Sequence, residues 1–221
     1  MKRLLAFALA LAGPSLTLAE TTAWTIDPAH SSTSFAVKHL VFSTVRGTFG
    51  KTTGTINLDD KDPTKSSVES SIDVNTIDTR VADRDKDLKS PNFFDAEKYP
   101  TITFKSMKVQ KAGGDKLKVT GDLTLHGTTK PVTWNVTYTK PVAGVKGEMR
   151  RAFTGTTRIN RKEFGLTYSK MVEAGPVVGD QVDVTVDVEA IKAQPESEQA
   201  KAQQATKEEK PSSKESGSDQ K

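Results

Sequence analysis

From Trp24 to Ile191 apolar residues recur at every second position, the spacing that puts side chains alternately on the two faces of an extended strand. Phe35, Val37, His39 and Val41 alternate with Ser34, Ala36, Lys38 and Leu40. The rhythm returns at Gly54, Ile56 and Leu58, at Val68, Ser70, Ile72 and Val74, and at Ile102 and Phe104. It continues through Leu117, Val119, Gly121, Leu123 and Leu125, then Val132, Trp134, Val136 and Tyr138. Phe153, Gly155, Thr157 and Ile159 repeat it, and Val182, Val184, Val186 and Val188 end it. The pattern predicts about eight strands, each with one face toward a core and one toward water.

Turn-forming residues separate these runs: Asp59-Asp60-Lys61-Asp62-Pro63, Ala112-Gly113-Gly114-Asp115, His126 to Pro131, and Val178-Gly179-Asp180. Links this short join antiparallel neighbours. A sheet of so many one-sided strands either packs on a second sheet or closes on itself, and closure removes the exposed edges. Glycines within strands at Gly47, Gly54, Gly121 and Gly155 suit the bends and close approaches of a coiled barrel. The expected fold is therefore all-β, an eight-stranded antiparallel barrel whose interior admits one slender ligand. Only residues 81–99 break the rhythm. Ala82 to Leu88 suits a short helix that Pro91 limits, and this segment is expected to form a plug or lid.

The ends of the chain differ from the middle. Lys2 and Arg3 precede an apolar run from Leu4 to Ala12, a Gly13-Pro14 break and Thr17-Leu18-Ala19, the layout of a signal peptide over residues 1–19. The run is well short of the ~20 residues of a membrane span. The mature chain is thus expected to be periplasmic or secreted, with a barrel domain over residues 20–192. After Lys192 the composition turns to Gln, Glu, Lys, Ser, Ala and Pro without aromatic or β-branched aliphatic residues, so residues 193–221 read as a disordered charged tail. The absence of cysteine excludes a disulfide framework.

The formal net charge of +4 is a small excess of 32 Lys and Arg over 28 Asp and Glu, interleaved along the chain, which argues against a nucleic-acid partner. Arg150-Arg151 and the Arg158 to Lys162 stretch are short, enough at most for a transient contact with anionic headgroups. No nucleophile elbow, phosphate-binding glycine loop or dinucleotide fingerprint is present. His30, His39 and His126 lack the spacing of a helical metal motif, and hydrogen-bonded roles in a strand or turn are expected for them.

Trp24-x-Ile26-Asp27-x-x-His30-Ser31, followed by Phe35-x-Val37-x-His39-Leu40-x-Phe42-Ser43-x-Val45-x-Gly47-x-Phe49, resembles the opening of the YceI-like family. Arg84-Asp85-x-x-Leu88-Lys89-Ser90-x-x-Phe93-Phe94-Asp95 with Tyr99-Pro100 is similar to its central loop. Gly121-x-Leu123-Thr124-Leu125-His126-Gly127-x-Thr129-Lys130-Pro131-Val132 is similar to its hairpin, and Asn160-Arg161-x-x-Phe164-Gly165 to its late loop. The resemblance covers Trp24 to Ile191. It implies an elongated, lipocalin-like barrel, often a homodimer, that binds polyprenyl chains such as quinones or related long-chain lipids and needs no other cofactor. Where that family's loop usually reads Arg-Asp-x-His-Leu, this chain has Asp87.

The residue chemistry agrees with an apolar ligand. Burying one CH2 is worth about 0.8 kcal/mol, so an enclosed five-carbon unit contributes at most roughly 3 to 4 kcal/mol. The expected lining is Phe35, Val37, Phe49, Ile72, Val74, Phe104, Leu123, Leu125, Trp134, Val136 and Phe153. Phe42, Phe93, Phe94 and Phe164 are expected at the mouth or lid, with His39, Arg84, Asp85 and Arg161 meeting a polar head. Two alternatives stand beside this reading: an enzyme with a hydrophobic barrel as its active site, and a stress-response protein that acts through a protein partner.

Overall fold

The structure is a computed structural model that describes residues 21–168, 170–173 and 175–194. The expected signal peptide and the tail beyond Gln194 lie outside the described residues. Eight antiparallel staves follow one another around a closed barrel, several of them broken and re-formed. Stave β1 comprises Thr22–Ile26 and Ser32–His39, β2 comprises Ser43–Phe49 and Thr52–Leu58, and β3 comprises Ser67–Asp73 and Ile77–Asp78. Then come β4 (Thr101–Lys111), β5 (Lys116–Leu125), β6 (Thr128–Tyr138, resumed at Val142–Ala143), β7 (Met149–Asn160) and β8 (Val178–Lys192).

Each stave pairs with the next in sequence, and β8 closes the ring. One edge of β8 takes β7, with Phe153 opposite Val188 and Ile159 opposite Val182. The other takes both segments of β1, with Ile26 opposite Ala190 and Phe35 opposite Val184. Both edges of every stave are thus engaged along part of their length, which is how a one-sided sheet avoids an exposed edge.

Residues directly opposite in an antiparallel pair share a face. The register therefore stacks Ile72 beside Ile102, Phe104 beside Leu123, and Val119 beside Trp134, all pointing inward. Two glycines let the wall coil this tightly. A Cβ on Gly54 would lie 2.1 Å from the Glu69 carbonyl oxygen, and its φ of +147° suits glycine alone. A Cβ on Gly121 would lie 2.3 Å from the Lys105 carbonyl oxygen, beside the irregular register between Ser106 and Lys108.

Connections 40–42, 79–100, 126–127 and 161–177 gather at one end of the barrel, the mouth; 59–66, 112–115 and 139–148 gather at the other, the closed end. Helix α1 (Ala82–Lys89) lies in the long mouth connection. Asp85 accepts from the Thr79 backbone N–H (2.8 Å) and hydroxyl (2.6 Å), tying the helix to the strand before it. Asp87 holds the helix end: its carbonyl accepts from the Ser90 hydroxyl at 2.6 Å and its carboxylate from Asn92 Nδ2 at 3.3 Å. Tyr99 then lies edge-on to His126 at 4.7 Å.

The alternating pattern overran two strand ends. Val41 continues the apolar register of Phe35 and Val37, but β1 stops at His39, and positive φ values at Leu40 (+50°) and Val41 (+70°) turn Val41 out to solvent. Val74 continues the register of Ile72, yet Asp73 caps a 3-10 turn through the Asn75 N–H and breaks β3 there. Val74 is still buried in the core.

Candidate functional site

Two apolar cavities lie in series along the barrel axis. The upper one, of about 130 Å³, sits beneath α1 and the 161–177 connection. The lower one, of about 120 Å³, runs toward the closed end. Phe104, Trp134 and Val186 line both and form the partition between them. The Phe104 and Trp134 rings meet edge to face, with centroids 6.0 Å apart and planes at 74°. Such contacts hold aromatic rings in place better than area alone would.

The residues expected to line a lumen separate cleanly. Phe35, Val37, Phe49, Ile72, Phe104, Leu123, Leu125 and Trp134 wall the upper cavity, joined there by Phe93 and Phe94 from the lid and by Arg161. Val136 and Phe153 wall the lower one. Phe49 supports the lid directly, its ring at 88° to that of Phe94 and 5.7 Å away. Phe93 packs on Tyr168 at 4.7 Å, which joins the two mouth connections.

Six expected residues, Asp85 among them, are not part of either wall. Val74 and Phe164 are both 1% exposed and belong to the packed core around the cavity. Phe42 is 76% exposed at the tip of the 40–42 turn. His39 is half-buried at the end of β1, where its carbonyl accepts from the Ser43 hydroxyl. Arg84 turns to Thr79, donating to its hydroxyl and its carbonyl at 2.7 Å each, so with Asp85 it pins the lid.

The sequence reading omitted some lining residues. Val184, Val186 and Ile102 were already legible as inward-facing strand positions. Leu88 of α1 and Leu166 of the 161–177 connection carry no periodic signal, and only the folded loops bring them over the cavity.

Arg161 is a charged group built deeply into the mouth, at 4% exposure. Its Nε donates to the Gly179 carbonyl (2.9 Å), Nη1 to the Leu166 carbonyl (2.5 Å), and Nη2 to the Val178 carbonyl (3.2 Å) and Asp180 (3.3 Å). Burial holds this guanidinium below its ordinary pKa, with Asp180 pulling the other way. Arg161 thus fastens irregular backbone while its aliphatic part faces the cavity.

Nearer the closed end, His30 Nδ1 lies 2.8 Å from Asp27, and Asp27 and Glu189 both accept from Arg150. Asp27, His30 and Glu189 are close enough to share an ion, but both carboxylates are already engaged by the Arg150 guanidinium. The His30 hydrogen bond, opposed by partial burial and aided by Ala29 and Arg150, keeps the Asp27 carboxyl below the usual range. Deeper still, Arg151 lies over the faces of Trp24 (5.2 Å) and Tyr138 (5.7 Å) and donates to Asp60 at 2.8 Å. The indole N–H groups of Trp24 and Trp134 are buried without a hydrogen-bond partner among the described residues, in keeping with the apolar interior.

A barrel of this kind, hollow, dry-walled and lidded, has relatives. The chain is 37% identical over 195 residues to a UPF0312 protein of Vibrio parahaemolyticus, covering 86% of this chain and 98% of the other. It is 42% identical over 138 residues to a UPF0312 protein of Vibrio cholerae, covering 62% and 73%. Among solved structures it superimposes on Burkholderia cenocepacia BcnA with a TM-score of 0.64 at 27% identity, over 74% of this chain and 98% of that one. A polyisoprenoid binding domain from Saccharophagus degradans shares the fold at a TM-score of 0.55 and 16% identity, over 78% and 99%. The YceI-like domain model matches residues 24–190, so nearly the whole barrel is accounted for and the chain belongs to the YceI-like family.

Proposed function

We propose that this protein binds a long-chain isoprenoid lipid, of polyprenol or quinone type, in the barrel lumen and stores or carries it in the periplasm, acting as a binding protein and not as an enzyme. The observation that carries this reading is the pair of apolar cavities in series, walled by strand side chains and roofed by Phe93, Phe94 and Leu88. Two small apolar chambers in series, with Phe104 and Trp134 between them, suit a narrow, flexible hydrocarbon that displaces those side chains, better than they suit a compact ligand. Prenyl units would contribute through burial alone, up to about 0.8 kcal/mol per CH2. The family relative described as a polyisoprenoid binding domain points the same way.

Organic extraction of the purified protein followed by mass analysis tests the reading, with native mass spectrometry to count bound lipid. A co-purifying or added polyprenol or quinone is expected at about one per barrel. Leu123→Asp and Val136→Asp, one in each cavity wall, should abolish that occupancy and cost several kcal/mol, because a partnerless carboxylate in an apolar site must be desolvated or protonated. Preparations that never hold such a lipid, or lumen carboxylates that keep both stability and lipid, would overturn it.

A further inference from the structure

We infer that the mouth rim is a lipid-surface docking site, where apolar loop tips enter a bilayer with the lidded lumen directly behind them; this rests on the proposed lipid-binding function. Large hydrophobic side chains exposed among the described residues gather mainly at the mouth: Val41 and Phe42 on one turn, Met171 and Val172 on a small hairpin in which Met171–Val172 pairs with Gly175–Pro176, and Val81 at the start of the lid. The closed end and the barrel side carry Val142, Val145 and Met107 instead.

The mouth tips are built together. The Leu40 N–H donates to the Val177 carbonyl at 3.0 Å, and a Cβ on Gly175 would lie 3.1 Å from Val41 Cγ2, so turn and hairpin pack as one ridge. Positive φ at Leu40 and Val41 fixes the outward aim of Val41 at a conformation β-branched residues disfavour. That strain, with Phe42 about three-quarters exposed, identifies the ridge as something other than core. The upper cavity lies directly behind it, since Val37 and Val178, which line that cavity, flank the same ridge.

Charge selects the occupant. Lys38 and Lys170 are exposed beside the apolar tips, Glu173 sits on the hairpin, and α1 interleaves Asp83, Asp87, Lys86 and Lys89. Such near balance gives no field for a strongly charged partner. Apolar tips bordered by long lysines match the depth profile of a bilayer interface, with the ammonium groups at headgroup level. A lipid passing between lumen and bilayer at this ridge never exposes its chain to water.

Flotation of the protein with vesicles of phosphatidylethanolamine and phosphatidylglycerol tests the site. The parent should float, and raising the salt from about 0.05 to about 0.5 M should leave most binding intact because the contact is apolar. Phe42→Asp combined with Met171→Asp, at side chains that are 76% and 66% exposed, should weaken binding at least about tenfold while the melting temperature changes little. Val145→Asp at the closed end should change nothing. Absence of flotation, a double variant that floats like the parent, or loss of binding in salt overturns the inference. So does a double substitution that splits a dimer with vesicle binding unchanged, which would assign the ridge to a second copy. Extracting the same preparations separates the two readings: resident lipid without flotation defeats docking alone, and flotation by a lumen that never holds lipid defeats the carrier reading alone.

Discussion

Each end of the barrel buries one arginine, and the two are used in opposite ways. At the mouth, Arg161 sends its donors to three backbone carbonyls and Asp180, all in or next to irregular chain. At the closed end, Arg151, 5% exposed, lies against the rings of Trp24 and Tyr138 with an ion pair to Asp60 and an Nε that has no hydrogen-bond partner among the described residues. An opening bordered by loops has carbonyls that no strand satisfies, so it needs a donor-rich anchor. Arg151 lies within β7, opposite Ala190 of β8, where the ladder already satisfies the backbone, so there the same side chain works as a flat plug that covers aromatic surface.

The contrast predicts unequal costs. Arg161→Met leaves several buried carbonyls unmatched and should lower stability by about 3 kcal/mol, read from the denaturant midpoint. It should also empty the upper cavity, because the 161–177 connection that roofs it loses its tie. Arg151→Met keeps a similar apolar volume over Trp24 and Tyr138 and releases Asp60, which is more than half exposed on its own. Its cost should be only about 1 kcal/mol, with lipid occupancy unchanged. Equal losses in the two variants would dissolve the distinction between anchor and plug.

The smallest effect concerns acid. Asp27 and Glu148 have carboxyl groups held below the usual range, Asp27 first by His30 and Glu148 first by Arg150. A carboxyl depressed in the folded state adds stability that is fully present above its unfolded pKa, about 4, and is lost as the pH falls through the folded value. Melting temperature should therefore hold from neutral pH down to about 4 and then decline, and Arg150→Met should flatten that decline. An Arg150→Met profile that still tracked the parent would remove this network from the account of the closed end.

The fold was largely legible because its signal is repetitive: inward residues such as Leu117, Val119, Leu123 and Leu125 recur at every second position, and burying one face of each of eight strands leaves a closed ring or a two-sheet sandwich, of which the ring leaves no exposed edge. The breaks inside β1 to β3 were not legible. They depend on local caps, such as Asp73 to Asn75 N–H, that compete with the ladder only once the strands around them have formed. Val41 and Phe42 illustrate the limit of periodicity, since an apolar residue one step beyond a strand end looks the same in sequence whether it points into a core or into water. For the candidate site, strand walls were readable and loop contributions were not: Leu88 and Leu166 are apolar positions without neighbours of the right period. Arg84 and Arg161 were legible as charges at the mouth, but the partners that occupy their donors are backbone atoms, which no residue pattern displays.

The ring closes through β8, the last strand, whose end pairs with the first described segment: Trp24 stands opposite Lys192 and Ile26 opposite Ala190. Until those final residues are available, β1 and β7 each present an unpaired ladder, and the loop to be closed is nearly the whole domain. Such non-local pairing folds slowly. A chain growing from its N-terminus therefore stays open along one seam until its last stave arrives, and only then becomes a container.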